Sequence, residues 1–164
     1  HYTGVDTTFA NKIVNEALEQ GKILELEEYD TILREQNYGE NSRIDFLLKR
    51  GSKSCFLEVK SVTLCRQGNI AEFPDTVTLR GAKHLKEIAK TINGNTRAIV
   101  LYLVQRSDCS NFKIANDLDP NYAQATIFSQ NSGVEFVCYG VNFLPNGIEL
   151  GYKMDLENDF SFLS

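Results

Sequence analysis

Several residue types that announce a specialised architecture are scarce. There is no tryptophan, one methionine, 3 prolines and 11 glycines in 164 residues, so a collagen-like or proline- and glycine-rich disordered chain is excluded. The four cysteines, Cys55, Cys65, Cys109 and Cys138, show no paired close spacing. That argues against a zinc knot or a disulfide framework and suits a reducing cytoplasm. No apolar run approaches the ~20 residues a membrane helix needs. His1 to Asp6 is polar and lacks the basic and apolar regions of a signal peptide. There is no glycine-rich phosphate loop and no Ser/His/Asp or Cys/His arrangement, so nucleophilic catalysis is a poor reading. What remains is ordinary globular usage, 42% apolar and 24% charged, in a length that suits a single cytoplasmic domain over residues 1–164, away from membranes.

The formal net charge of −5 argues against a polyanionic partner until its distribution is considered. Between Arg43 and Arg97 there are 11 basic and 5 acidic residues, while the rest of the chain has 6 basic and 17 acidic. A locally basic surface can bind nucleic acid while the far side stays acidic. An unevenly solvated surface fits the same numbers.

Hydrophobic periodicity gives the order α, β, β, β, α, β, α, β, β, an α/β (α+β) chain with a mixed central sheet flanked by helices. Phe9, Ile13, Val14, Ala17 and Leu18 recur at helical spacing between a Thr7 or Thr8 cap and Gly21. Strands are expected at 31–36, 43–48, 54–60, 97–105, 134–141 and 148–153. Helices are expected at 80–93 and from the Asp119-Pro120 cap to Gly133. Residues 65–75 look irregular, and the tail from Asp155 has no assignment.

The chemistry concentrates between Arg43 and Lys60. Two alternating strands flank Gly51-Ser52, a two-residue hairpin loop with glycine supplying the positive φ. This loop pairs Arg50 with Lys53 and, counting back along the ladder, Asp45 with Glu58. The two carboxylates then lie roughly 5 Å apart at Cβ, opposite an apolar face of Ile44, Phe46, Cys55 and Leu57, and on the same side as Lys60. Such a pair repels unless something compensates. Mg²⁺ or Mn²⁺, which takes carboxylate, water and phosphate oxygens, would do so. A metal held by Asp45 and Glu58, with Lys60 to orient or deprotonate water or to stabilise charge, makes a site able to hydrolyse a phosphodiester. The pattern Asp-x12-Glu-x-Lys is loose, and a surface salt-bridge ladder of Arg43, Asp45, Glu58 and Lys60 satisfies it equally.

The stretch from Arg34-Glu35 through Tyr38-Gly39-Glu40-Asn41-Ser42-Arg43-Ile44-Asp45 resembles the sugar fermentation stimulation protein A family. So do Leu57-Glu58-Val59-Lys60-Ser61-Val62-Thr63-Leu64, Phe73-Pro74-Asp75-Thr76-Val77-Thr78-Leu79-Arg80-Gly81-Ala82-Lys83-His84-Leu85, Val104-Gln105-Arg106 and Asp119-Pro120. The likeness runs from about Thr3 to Val141. It implies a PD-(D/E)XK nuclease-like, restriction-endonuclease-like fold, sequence-tolerant DNA binding and a link to regulation of sugar utilisation in bacteria. Asp45, Glu58 and Lys60 fall on the family's acid, acid and lysine positions, although Ile44 stands where the motif's proline would. The family's N-terminal OB-like barrel, expected before Gly4-Val5-Asp6, is absent from this chain.

Other residues join these as expectations. Glu16 on the first helix is a third metal ligand, with Glu35 as an alternative. Gln105, ending the apolar strand, touches the site. Arg80, Lys83, His84 and Lys86, near the start of the second helix, contact the DNA backbone, where free helix amides also favour phosphate. Three readings follow: a Mg²⁺-dependent nuclease, a non-catalytic DNA-binding regulator, and a structural domain with an incidental acidic pair.

Overall fold

The computed structural model describes residues 7–156. Helix α1 (Thr7–Glu19) is followed by a short 3₁₀ turn (Leu24–Leu26) and five strands: β1 (Thr31–Tyr38), β2 (Ser42–Arg50), β3 (Lys53–Val62), β4 (Leu64–Gln67) and β5 (Ile70–Phe73). Then come α2 (Leu79–Ala89), β6 (Thr96–Val104), β7 (Asn111–Ile114), α3 (Pro120–Asn131), β8 (Glu135–Leu144) and β9 (Gly147–Lys153). Thr7 and Thr8 lie inside α1, so its capping position falls outside the described residues, as do Thr3 to Asp6 of the family likeness and the tail beyond Leu156.

The main sheet has six strands in the order β1-β2-β3-β6-β8-β9. Its centre is parallel, β3 with β6 and β6 with β8, and its edges are antiparallel. The parallel centre explains the nearly continuous apolar run of β6, in which Ala98 to Val104 are all buried. Alternate residues serve two layers. Ile99, Leu101 and Leu103 pack with Leu57 and Val59 against Ile13, Val14 and Ala17 of α1. Ala98, Val100 and Tyr102 pack against Leu85 and Ile88 of α2 and Tyr122 and Ala123 of α3. Each buried Leu or Ile in these layers contributes about 1.5–3 kcal/mol relative to exposure.

Two expectations are corrected. Residues 65–75 are not irregular but supply β4 and β5, which join β7 in a second, three-stranded sheet. Strands of four residues are too short to show alternation, and one of their two buried residues, Glu72 beside Ala71, is charged. The Glu72 carboxylate accepts from Arg66 Nη2 at 2.6 Å, and Lys113 Nζ lies 3.7 Å away. Helix α2 ends at Ala89 rather than Asn93, because Thr91 Oγ1 donates back to the Ile88 carbonyl at 2.7 Å and closes the last turn.

One carboxylate ties α2 to α3. Asp119 Oδ1 accepts the Tyr122 N–H at 3.0 Å as the cap of α3, while its Oδ2 accepts the Thr78 N–H at 2.8 Å. Thr78 in turn caps α2, its Oγ1 accepting the Gly81 N–H at 2.9 Å. A Cβ on Gly81 would come within 2.8 Å of the Thr78 side chain and 3.3 Å of Tyr122, so the close approach of the two helix starts requires glycine. Asp119→Ala leaves two N–H groups without acceptors in a region where Asp119 is only 2% exposed. Urea titration should show stability falling by roughly 2–3 kcal/mol, with fluorescence and far-UV transitions still coincident.

Candidate active site

The hairpin register is the one the loop dictates. Gly51 has φ 59°, and pairs run from Arg50 with Lys53 to Phe46 with Leu57. There the ladder stops. In place of a direct Asp45–Glu58 pair, Asp45 Oδ2 accepts the backbone N–H of Val59 at 2.8 Å, and Oδ1 accepts from Asn11 Nδ2 of α1 at 3.0 Å. The β1–β2 ladder skips the same residue, pairing Arg34 with Phe46 and resuming at Gln36 with Ile44. Glu35, at the gap, sits at φ 53°, a left-handed conformation that costs a non-glycine residue energy. The alternation breaks here too. Phe46 packs on the α1 face with Leu57, whereas Ile44 packs on the opposite face with Val62 and Tyr102. Ile44 therefore does not share an apolar face with Phe46, Cys55 and Leu57, as strict alternation predicts. The strand has rotated at Asp45.

Asp45, Glu58 and Lys60 line one cavity of ≈ 470 Å³, together with Asn11, Ser61 and Asp75. Glu58 is 8% exposed. Its Oε1 lies 3.3 Å from Lys60 Nζ and 4.0 Å from His84 Nδ1. Its Oε2 is buried with no hydrogen-bond partner. Burial pushes the Glu58 carboxyl up to about 7, against the pull of Lys60, and the neighbouring Asp45 charge adds to the rise. The aromatic ring of Tyr38 packs beside Phe56, with centroids 5.3 Å apart. Burial raises its hydroxyl above the usual phenol range, and the charges of Glu58, Glu87 and Asp45 add to this.

Helix α2 brings two further groups. Arg80 Nε–H donates to His84 Nε2 at 3.4 Å, which leaves the His84 proton on Nδ1, the nitrogen facing Glu58. Burial, then Lys60, Arg80 and Lys83, hold the imidazole below its ordinary value, with Asp45 opposing them. His84 and Arg80 thus stand at the acidic pair, while Lys83 and Lys86 are exposed and line a groove between α2 and α3.

Glu16 is not brought to this cavity. It is exposed beside Phe9, Lys12 and Leu144, five residues on from Asn11 and so roughly 140° around the helix. Glu35 is exposed and bound to Arg43 Nη2 at 3.1 Å. Gln105 is fully buried, its Nε2 donating to Ser61 Oγ at 2.6 Å while Oε1 has no partner. It reaches the cavity only through Ser61. Asn11 and Asp75, which line the cavity, and Tyr38, whose hydroxyl feels the Glu58 and Asp45 charges, were not foreseen. Asn11 carried no signal beyond its place beside an apolar helix stripe, and Tyr38 and Asp75 only their presence in the family-like segments.

Among the described residues no cluster of three or more His, Cys, Asp or Glu side chains is arranged to hold a metal ion. Asp45 and Glu58 are two oxygen donors, a number that Mg²⁺ sites commonly draw from protein, and the unpartnered Glu58 Oε2 is the kind of buried atom a cation would satisfy.

A family model described as the sugar fermentation stimulation protein RE domain matches residues 8–147. The sugar fermentation stimulation protein homolog of Roseobacter denitrificans is 52% identical over 151 residues, which is 92% of this chain and 64% of that protein. The homolog of a Jannaschia species is 49% identical over 152 residues, 92% of this chain and 63% of its own length. The structure of Pyrococcus furiosus SfsA in complex with Ca²⁺ matches with a TM-score of 0.84 at 30% identity, over 93% of this chain and 66% of that one. The chain thus spans just under two thirds of the length of the two bacterial relatives.

The raised Glu58 carboxyl has a measurable cost. Between its ordinary value of 4.5 and about 7 the folded chain holds a proton that the unfolded chain has released, so metal-free stability falls as pH rises through that window. Glu58→Gln should stabilise the metal-free protein at pH 8 by on the order of 2–3 kcal/mol, and the gain should vanish below pH 4.5. Thermal melts of both proteins across that range measure it.

Proposed function

The chain belongs to the sugar fermentation stimulation protein family, and from that premise we propose that it is a DNA-binding domain with a phosphodiesterase site dependent on Mg²⁺ or Mn²⁺. The observation that carries the reading is the convergence of Asp45, Glu58 and Lys60 on one cavity, with Glu58 Oε2 buried and unpartnered. The Pyrococcus furiosus relative was solved in complex with Ca²⁺, another hard, oxygen-seeking cation.

In this reading Asp45 and Glu58 would hold the cation, which would supply charge neutralisation and make a water easier to deprotonate for attack on phosphorus. Asn11 and the Val59 N–H fix the Asp45 carboxylate, so its oxygens are oriented before any ligand arrives. Lys60 Nζ, now paired with Glu58, turns toward the reacting phosphate and stabilises the charge that grows on it. Arg80 and the neutral His84, held beside Glu58, would donate to a non-bridging phosphate oxygen. Lys83 and Lys86 add attraction that does not depend on sequence.

A regulator that binds DNA without cutting it is the second reading. The Glu58–Lys60 ion pair at 3.3 Å favours it, because the pair partly balances the site without a cation. Calorimetry and cleavage separate the two. Under the first, Mn²⁺ titration gives saturable heat that Asp45→Ala removes. Lys60→Ala then slows cleavage of plasmid DNA by roughly 10²-fold or more while DNA still shifts in a gel. Under the second, DNA shifts in a salt-dependent way and neither cation yields a cut.

A further inference from the structure

Helix α2 carries two adjacent stripes. His84 faces Glu58, and Arg80 donates to His84. Leu79, Lys83, Lys86 and Lys90 form the next stripe and, with Phe128 of α3, line a separate groove of ≈ 520 Å³. The groove is unusual for a surface. Its apolar members are uncovered, Leu79 at 71% and Phe128 at 53% exposure. Its cations are only partly balanced. Lys90 Nζ pairs with Glu87 at 3.2 Å, but among the described residues Lys83 and Lys86 make no ion pair. Asn121, at the groove wall, has a side-chain amide with no partner among those residues.

We propose that this groove receives an unpaired nucleic-acid strand continuing from the Asp45–Glu58–Lys60 site, its phosphates on Lys83 and Lys86 and a base stacked on Phe128. The inference rests on the phosphodiesterase reading and deepens it by naming the form of the substrate. Two unpaired cations call for a polyanion, and an exposed ring lining the same groove calls for a flat apolar partner. A single strand supplies both at one spacing, whereas a duplex keeps its base faces stacked inside and offers Phe128 nothing. An acidic amphipathic peptide would also match the lysines. The shared helix favours nucleic acid, because Arg80 and His84 place the same class of anion one stripe away, so a bound strand need only cross α2.

The test is fluorescence anisotropy of the full chain in chelator with three labelled probes: a single strand, a blunt duplex and the same duplex with a single-stranded overhang. The overhang duplex is expected to bind roughly tenfold tighter than the blunt one. Phe128→Ala should abolish that difference and leave blunt-duplex affinity unchanged, and Phe128→Tyr should restore it. Lys86→Gln should reduce the salt slope for the overhang probe by about one contact. Circular dichroism checks that each variant folds. Equal binding of blunt and overhang probes overturns the inference and spares the parent reading. A Phe128→Ala loss shared equally by both duplexes overturns it as well. So does Phe128-dependent binding of an acidic amphipathic peptide without any overhang preference. Binding of no oligonucleotide at all sinks this inference and the parent reading together.

Discussion

The Asp45 carboxylate does the work of a missing rung. Where the β1–β2 ladder skips a pair and the β2–β3 ladder ends, it accepts the Val59 N–H that would otherwise be buried without a partner. That one bond anchors the acid beside Glu58 and leaves it available to a ligand through its remaining lone pairs. The neighbouring backbone bears the cost, since Glu35 takes up a left-handed conformation opposite the gap. The cavity also depends on this break. A regular strand would keep Ile44 on the α1 face with Phe46, and the space now bounded by Asp45, Asn11 and Lys60 would be filled by an ordinary ladder.

Much of this was legible because turn chemistry is local. Gly51-Ser52 sets a register that holds for the five pairs nearest the loop, and Asp119-Pro120 announces the start of α3 in its own two residues. What failed to show were features that depend on distant contacts. Counting pairs back from a turn presumes an unbroken ladder, and at Asp45 the ladder gives way to side-chain bonds, one of them to Asn11 of α1, thirty-four residues away. Glu16 lies on the correct helix, but its face is decided by which side of α1 the sheet covers. The small sheet escaped notice because β5 pairs with β7 across a long separation in sequence, and its buried members include Glu72, a residue type that hydrophobic patterning marks as outside.

The electrostatics of the cavity pull in two directions. Desolvation favours a protonated Glu58, while Lys60 and Arg80 favour the carboxylate. The balance falls near neutrality, so the isolated site is close to indifferent about its own charge. A divalent cation would compensate the buried carboxylate more fully than Lys60 alone, and its binding would release the proton that burial favours on Glu58. The same balance also explains why His84 stays neutral beside an acid. Lys60, Arg80 and Lys83 crowd it, and it is partly buried. Its Nδ1–H can then donate toward Glu58 or an incoming oxygen without adding another full charge to a crowded pocket.

The placement of α2 makes these local arrangements one device. Its start is fixed twice, by the Thr78 cap and by Asp119 reaching across from α3, and Gly81 permits the two helix starts to approach closely. Arg80 and His84 lie within the first two turns, where this anchoring is strongest and fraying least. The lysine stripe lies farther along the same rigid rod, at angles set by the helix repeat. A shift in the Asp119 contact would therefore move Arg80, His84 and the groove together. The separation of the Asp45–Glu58–Lys60 cavity from the α2–α3 groove is fixed by one helix rather than by a flexible loop, which is the geometry the proposed polymer substrate would require.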